Sequence, residues 1–359
     1  MNFLMPRLLI AASGTGGHLY PAIAVAKKLS DDWDITWLGV SNRLETSILR
    51  DRYELLTINV GGLQGSFINK ILRFFQLIIS IRKVLLILRT RRTQVVFTTG
   101  GYIAAPVIIG AFLRRIPLVL HESNSMPGRV TRLLARFSTV TAIGMPPAFE
   151  VIKGIKPVLT GTPVRSGFKL NCPLPSWAPR GDGPLIVIMG GSQGALGINK
   201  MIGPVLLRLL QENLRIVHIT GNNDSNLQKF IHSNFIQKEY IDDMPALLSN
   251  TDLVISRSGA GALAELAVSG VPAILIPYLY ASDNHQEMNA QYFAQHGAAI
   301  IVHEDVNSKE LVNIILRILR DKCNSDNKNY LSIMKEKMVS LAIPDADQKI
   351  VKILDHVLK

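Results

Sequence analysis

Apolar runs recur along the chain, near residues 7–12, 35–39, 55–60, 94–99, 117–121 and 139–143 in the first half, and near 184–190, 214–220, 252–256, 272–276 and 298–302 in the second. Helical patterns such as PAIAVAKKLS separate them, and Pro21 suits the first turn of that helix. Strands and helices taken in turn argue a parallel sheet, built twice. The segment CPLPSWAPRGDGP, Cys172 to Pro184, has no periodicity and precedes a fresh strand, which sets the domain boundary around 163–184. The expected fold class is α/β: two Rossmann-like domains with parallel sheets facing across a cleft, residues 1–163 and 164–343, followed by a C-terminal helix at 344–359 that packs back toward the first domain.

Three glycine-rich turns follow apolar runs: SGTGGH (Ser13 to His18), TGGY (Thr99 to Tyr102) and MGGSQG (Met189 to Gly194). A strand, a glycine turn and a helix in succession aim backbone N–H groups at a phosphate, and glycine lets the ligand approach. Two familiar nucleotide sites are nevertheless excluded. A dinucleotide fingerprint wants a third glycine where Leu19 stands, and an acid behind the second strand where Val40, Ser41 and Asn42 stand. A Walker loop wants Gly-Lys-Ser/Thr, and the chain has no such tripeptide. The turn Gly190 to Gly194 opens a helix near Ala195 and offers donors to a pyrophosphate, with Ser192 the residue expected to touch it. Further on, SRSGAGALAE starts a second helix that carries Glu265, a carboxylate placed to take both hydroxyls of a ribose.

Composition narrows the class. A chain of 359 residues, 48% hydrophobic and 18% charged, can bury a core in each of two domains. Its 2 cysteines, Cys172 and Cys323, are too few for a disulfide framework or a metal cluster and fit a reducing cytosol. The first residues run straight into the first glycine turn and read as a strand, not a signal peptide.

Net charge is +12 and lies in one half: residues 1–163 hold 20 Lys+Arg against 8 Asp+Glu, leaving 19 of each for residues 164–359 from totals of 39 and 27. Between Leu55 and His121 there is no acid, while Lys70, Arg73, Arg82, Lys83, Arg89, Arg91, Arg92, Arg114 and Arg115 cluster there. Such one-sided charge implies an anionic partner. Phe67 to Arg92, FINKILRFFQLIISIRKVLLILRTRR, is interrupted by Arg73, Gln76, Arg82 and Lys83, so no run reaches the ~20 residues needed to span a bilayer. It reads as a helix lying on an anionic membrane surface; the alternative is a helix buried on both sides with its arginines snorkelling outward. A nucleic-acid partner is set aside, because such faces interleave aromatics and polar groups, unlike FFQLIISI.

Taken in order, GTGGH, TGGY, HESN (His121 to Asn124), GTPVR (Gly161 to Arg165), GGSQG, YIDDM (Tyr240 to Met244), RSGAGALAE, DNHQEMNA (Asp283 to Ala290) and IPDA (Ile343 to Ala346) resemble the motif series of the MurG family, over nearly the whole chain. The resemblance implies a glycosyltransferase of GT-B architecture. Such an enzyme moves N-acetylglucosamine from UDP-N-acetylglucosamine to the 4-hydroxyl of a lipid-linked MurNAc-pentapeptide in peptidoglycan synthesis, with inversion, no cofactor and no metal in the site.

By motif position the donor should meet Thr15, Gly16, Gly17, Asn124, Arg165, Ser192, Ile241, Ala260, Gly261, Ala262, Leu263, Ala264, Glu265, Gln286 and Asn289. Uracil falls beside Ile241, ribose on Glu265, phosphate on Ser192 and nearby backbone, and the sugar hydroxyls on Gln286 and Asn289. Gly14, His18, Tyr102 and Glu122 fall on the acceptor side, and the first domain binds acceptor and membrane. The implied location is peripheral, on the cytoplasmic face of the inner membrane, with other cell-wall synthesis proteins as further partners. His18 is the candidate general base, with Glu122 and His121 as runners-up; UDP leaves without a proton donor. A diacylglycerol galactosyltransferase of the same architecture is the alternative, and would share the nucleotide half without the TGGY and HESN details.

Overall fold

Each apolar run named above is a strand in the computed structural model, which describes residues 5–14, 16–29, 32–41, 44–49, 52–61, 67–191, 194–222, 230–320, 322–323 and 328–359. The chain divides into two compact units, Met1–Arg165 with Pro344–Lys359, and Ser166–Ile343.

The first unit carries strands β1 (Arg7–Ala11), β2 (Asp34–Val40), β3 (Glu54–Ile58), β4 (Val95–Thr98), β5 (Leu118–Glu122), β6 (Val140–Ile143) and β7 (Val158–Leu159). Its helices are α1 (Gly16–Leu29), α2 (Leu44–Ile48), α3 (Phe67–Thr90), α4 (Ala104–Arg114), α5 (Arg129–Leu134) and α6 (Ala148–Val151). The sheet runs β3-β2-β1-β4-β5-β6-β7, and every pair is parallel. Strand order reverses between β1 and β4, which is where such sheets place ligands, beyond the carboxyl ends of the strands. Pairing of Ala11 with Thr98 levels those two ends, so the first and second glycine turns leave the sheet side by side. α1 begins directly from the first turn, and Pro21 therefore lies inside it instead of in its first turn.

Against one face of this sheet pack α3 and α4, through Val84, Leu88, Val107, Ile108 and Ala111. The two helices approach closely at Gly110, where a Cβ would come within 2.7 Å of Val84 Cγ1. Only one side of α3 is covered: Ser80, Val84 and Leu88 are buried, while Ile71, Leu72, Phe74, Phe75, Ile79 and Leu86 are exposed. That excludes a helix buried on both sides. Among the described residues, no helix is long and apolar enough to cross a membrane.

In the second unit, β8 (Leu185–Met189), β9 (Arg215–Ile219), β10 (Phe235–Lys238), β11 (Leu253–Ser256), β12 (Ala273–Leu275) and β13 (Ala299–Ile301) form a sheet of order β10-β9-β8-β11-β12-β13. All of these pairs are parallel too, with a second reversal between β8 and β11, where Met189 pairs with Ser256. Its helices are α7 (Leu196–Ile202), α8 (Leu206–Gln211), α9 (Met244–Leu248), α10 (Ala260–Ser269), α11 (His285–Gln295), α12 (Ser308–Arg320) and α13 (Tyr330–Ser340). A short antiparallel pair, β14 (Lys322–Cys323) and β15 (Lys328–Asn329), precedes α13. α14 (Ala346–Leu358) then rejoins the first unit and lies against α1, adding Ile350 and Leu354 to the core with Leu19 and Val25.

β7 and β10 are absent from the sequence reading. β7 is only two residues long, and β10 is an edge strand whose FIQK has one buried residue, Phe235, so neither has an apolar run to reveal it.

Candidate active site

In the first unit, the turn after β1 passes through Gly14 at φ +106° and delivers His18 to the first turn of α1. The turn after β4 passes through Gly100 (φ +86°) and Gly101 (φ +74°), a backbone that other residues enter only with strain. The two turns are stitched together. His18 Nδ1 lies 2.7 Å from the Thr99 carbonyl, and the Thr99 hydroxyl donates to the His18 carbonyl over 2.9 Å. A carbonyl only accepts, so Nδ1 carries the proton and Nε2 of the neutral ring holds the lone pair. A Cβ on Gly101 would sit 3.6 Å from His18 Cδ2 and Nε2, so the second turn forms one wall of the imidazole's surroundings. Tyr102 follows and is half exposed.

The two runners-up for the base are otherwise engaged. His121 is fully buried, its Nε2 3.0 Å from the Gly161 carbonyl and its Nδ1 facing the Ser123 hydroxyl at 3.5 Å. Burial pushes its pKa down to about 4, against the opposing pull of the Gly161 carbonyl and Glu122; the neighbouring His18 lowers it slightly further. Glu122, also buried, accepts at Oε1 from the Asn124 backbone (3.1 Å) and side chain (3.0 Å), and at Oε2 from Gly128 N (3.0 Å) and the Thr131 hydroxyl (2.8 Å). With both oxygens holding donors, this carboxylate folds the loop 122–131 and has no lone pair to spare for a substrate proton. Asn124 is thereby fixed in place, and Arg165 stacks over the ring of Tyr20 on α1 at 4.7 Å.

In the second unit, the turn after β8 needs its glycines sterically. A Cβ on Gly190 would lie 2.2 Å from Ala195 N, and one on Gly194 (φ +77°) 2.3 Å from the Thr220 carbonyl. Around Gly191 (φ +90°) a Cβ would meet nothing within 4 Å among the described residues. Ser192 and Gln193 of this turn, and Thr15 of the first, lie outside the described residues. The turn after β11 passes through Ser258 and Gly259 into α10, where Glu265 is half buried. Ala260 and Leu263 point into the core, so any ligand contact they make is through backbone. Ile241 is likewise buried.

From α11 come Gln286 and Asn289. Gln286 accepts from the Tyr278 backbone N–H at 3.0 Å through its side-chain oxygen, and its backbone carbonyl accepts from the Ser258 hydroxyl at 2.7 Å. Asn289 is completely buried and donates to the Ser258 carbonyl at 3.1 Å. Both therefore tie α11 to the turn that opens α10.

Three arrangements escaped the sequence reading. Arg257 donates to the carbonyls of Ile276 (3.0 Å) and Pro277 (3.3 Å) and pairs with Glu304, joining the ends of β11, β12 and β13; Gly197 on α7 makes room, since a Cβ there would lie 2.4 Å from Glu304 Cδ. Asn199 on α7 bridges His218 Nε2 (3.0 Å) and the Thr220 carbonyl (3.2 Å), fixing the helix that opens from the third glycine turn. Glu45 on α2 reaches the first glycine turn.

Both parts of the chain match known families. Residues 8–143 match the glycosyltransferase family 28 N-terminal domain, and residues 185–342 match the glycosyltransferase family 28 C-terminal domain. A protein of Prochlorococcus marinus (strain MIT 9303) named UDP-N-acetylglucosamine--N-acetylmuramyl-(pentapeptide) pyrophosphoryl-undecaprenol N-acetylglucosamine transferase is 51% identical over 353 residues, 98% of each chain. The chain belongs to glycosyltransferase family 28, in its MurG branch. A relative with the same name from Synechococcus sp. (strain WH7803) is 49% identical over 99% of this chain and 100% of its own. Among solved structures, MurG of Acinetobacter baumannii is similar with a TM-score of 0.75 and 26% identity, over 98% of this chain and 100% of its own. The two parallel sheets, of 7 and 6 strands, are the paired Rossmann-like halves of the GT-B fold, and family 28 membership makes the chain a glycosyltransferase.

Proposed function

We propose that this chain moves N-acetylglucosamine from UDP-N-acetylglucosamine to the 4-hydroxyl of a lipid-linked MurNAc-pentapeptide, inverting the anomeric carbon. The support is the agreement of the MurG-branch relatives, similar over nearly their whole length, with a histidine whose tautomer is fixed for base catalysis.

His18 Nε2 takes the proton of the acceptor hydroxyl as its oxygen bonds to the anomeric carbon. The bond from that carbon to the UDP oxygen breaks on the opposite face, and UDP departs with the electron pair. Nδ1, held on the Thr99 carbonyl, keeps its proton throughout, and the imidazolium that forms is stabilised by that carbonyl. Gly14, Tyr102 and Glu122 border the acceptor. The donor lies with its diphosphate on Ser192, Gly191 and the start of α7, its ribose on Glu265 and its uracil by Ile241, with Gln286 and Asn289 setting the turn that receives the sugar. Thr15, Gly16, Gly17, Asn124, Arg165 and the backbone of 260–264 complete the donor contacts.

The acceptor's lipid brings the membrane into the account. Exposed Leu72, Phe75, Ile79 and Leu86 recur on α3 at spacings of three, four and seven residues, and Phe112 and Leu113 stand exposed on the adjoining α4. Exposed Arg82, Lys83, Arg89, Arg114 and Arg115 border them. An apolar stripe with a cationic border is what anionic lipid headgroups attract, each basic residue adding about 1 kcal/mol. This face docks on the cytoplasmic side of the inner membrane. The test of the whole reading is transfer of radiolabelled sugar from UDP-N-acetylglucosamine to a short-chain lipid-linked MurNAc-pentapeptide; label that stays in the nucleotide or appears as free sugar contradicts it.

A further inference from the structure

The first glycine turn is held from behind by a carboxylate. Glu45, on α2, is completely buried. Its Oε1 accepts from the Ser13 hydroxyl and from Val40 N at 2.9 Å, and its Oε2 faces Gly14 N at 3.5 Å. Those partners, among the described residues, are neutral. Burying a carboxyl group is costly unless hydrogen bonds offset its desolvation, and here they come from the strand ends and the first glycine turn.

A second position is matched to it. Gly39 lies within β2, where glycine weakens a strand. A Cβ there would come within 2.8 Å of Glu45 Cγ, so the strand leaves the room that the carboxylate occupies. The side chain thus ties the ends of β1 and β2 to the one segment that carries Gly14 at φ +106° and, four residues on, His18.

We propose that Glu45 is a positioning residue for the transfer reaction, setting the path of the first glycine turn and through it the placement of His18; this rests on the function proposed above.

The test is a mutant cycle on the full chain: parent, Glu45→Gln, His18→Ala and the double variant, each titrated with UDP by calorimetry and assayed for transfer. Glu45→Gln should bind UDP with the parent's stoichiometry and affinity while kcat falls about tenfold or more, because a misplaced base loses transition-state contact only. The double variant should be no slower than His18→Ala alone, since a residue acting through His18 has nothing left to act on. A merely structural Glu45 would lower the UDP stoichiometry and add its loss to that of His18→Ala. Should Glu45→Gln fail to fold, Gly39→Ala, which keeps the carboxylate but crowds it, replaces it in the same cycle. A variant within twofold of the parent in kcat, or additive losses, overturns the inference while the functional reading stands. A parent that transfers no sugar overturns the functional reading, and this inference with it.

Discussion

His18 and Thr99 hold each other twice, imidazole Nδ1 to carbonyl at 2.7 Å and hydroxyl to the His18 carbonyl at 2.9 Å. The pair joins the turns after β1 and β4 at the point where strand order reverses. His18→Ala should therefore lower kcat about a hundredfold or more, the usual loss for a general base, with UDP affinity near the parent's. Weakened UDP binding with unchanged turnover would move His18 to the donor side.

Glu265 supplies the ribose contact in the proposed donor site. Replacing it with alanine should cost roughly 1.5 to 3 kcal/mol of UDP binding, about ten- to a hundredfold in Kd, as a charge-assisted hydrogen bond is lost. Calorimetry that finds UDP bound as tightly as by the parent removes the ribose from Glu265.

His121 gives the fold a pH dependence. Its pKa is about 4 in the folded chain, against an ordinary 6.5 once unfolding exposes it, so between those values the unfolded state binds the extra proton. Stability attributable to this group is full above pH 6.5 and is lost as pH falls to about 4, by on the order of 3 kcal/mol. His121→Gln keeps a donor for the Gly161 carbonyl and cannot titrate. It should flatten the fall in Tm across that window, and an unchanged slope assigns the acid sensitivity elsewhere.

Arg82, Lys83 and Arg89 on α3 are exposed, whereas Arg91 already pairs with Glu54. Replacing the first three with glutamine should reduce sedimentation with anionic vesicles at low salt and slow transfer to membrane-embedded acceptor, while transfer to a water-soluble analogue stays near the parent's. Equal vesicle binding by parent and variant contradicts an electrostatic contribution from this face.

Strands buried on both sides carry apolar runs, so every run read from the sequence is a strand, and the glycine turns at their ends were legible with them. What sequence could not reveal was which side chains meet across the fold. Glu45 stands 31 residues from Gly14 and Arg257 stands 47 from Glu304; neither pair has a local pattern, because the contacts follow from strand order and not from spacing. The one local sign of Glu45 was Gly39, a glycine inside a strand. His121 and Glu122 are residue types that catalysis uses, but burial and distant partners, the Gly161 carbonyl for one and Gly128 and Thr131 for the other, have no trace in a line of text.

Transfer as proposed is a single displacement at the anomeric carbon, assisted by His18. Proton NMR of the disaccharide product tests it, because the anomeric coupling reports the configuration. A product whose new glycosidic bond is inverted relative to UDP-N-acetylglucosamine, formed at least a hundredfold more slowly by His18→Ala, is the predicted result. Retained configuration would require attack from the face that UDP leaves or a covalent two-step route, and either contradicts a single displacement with His18 as base.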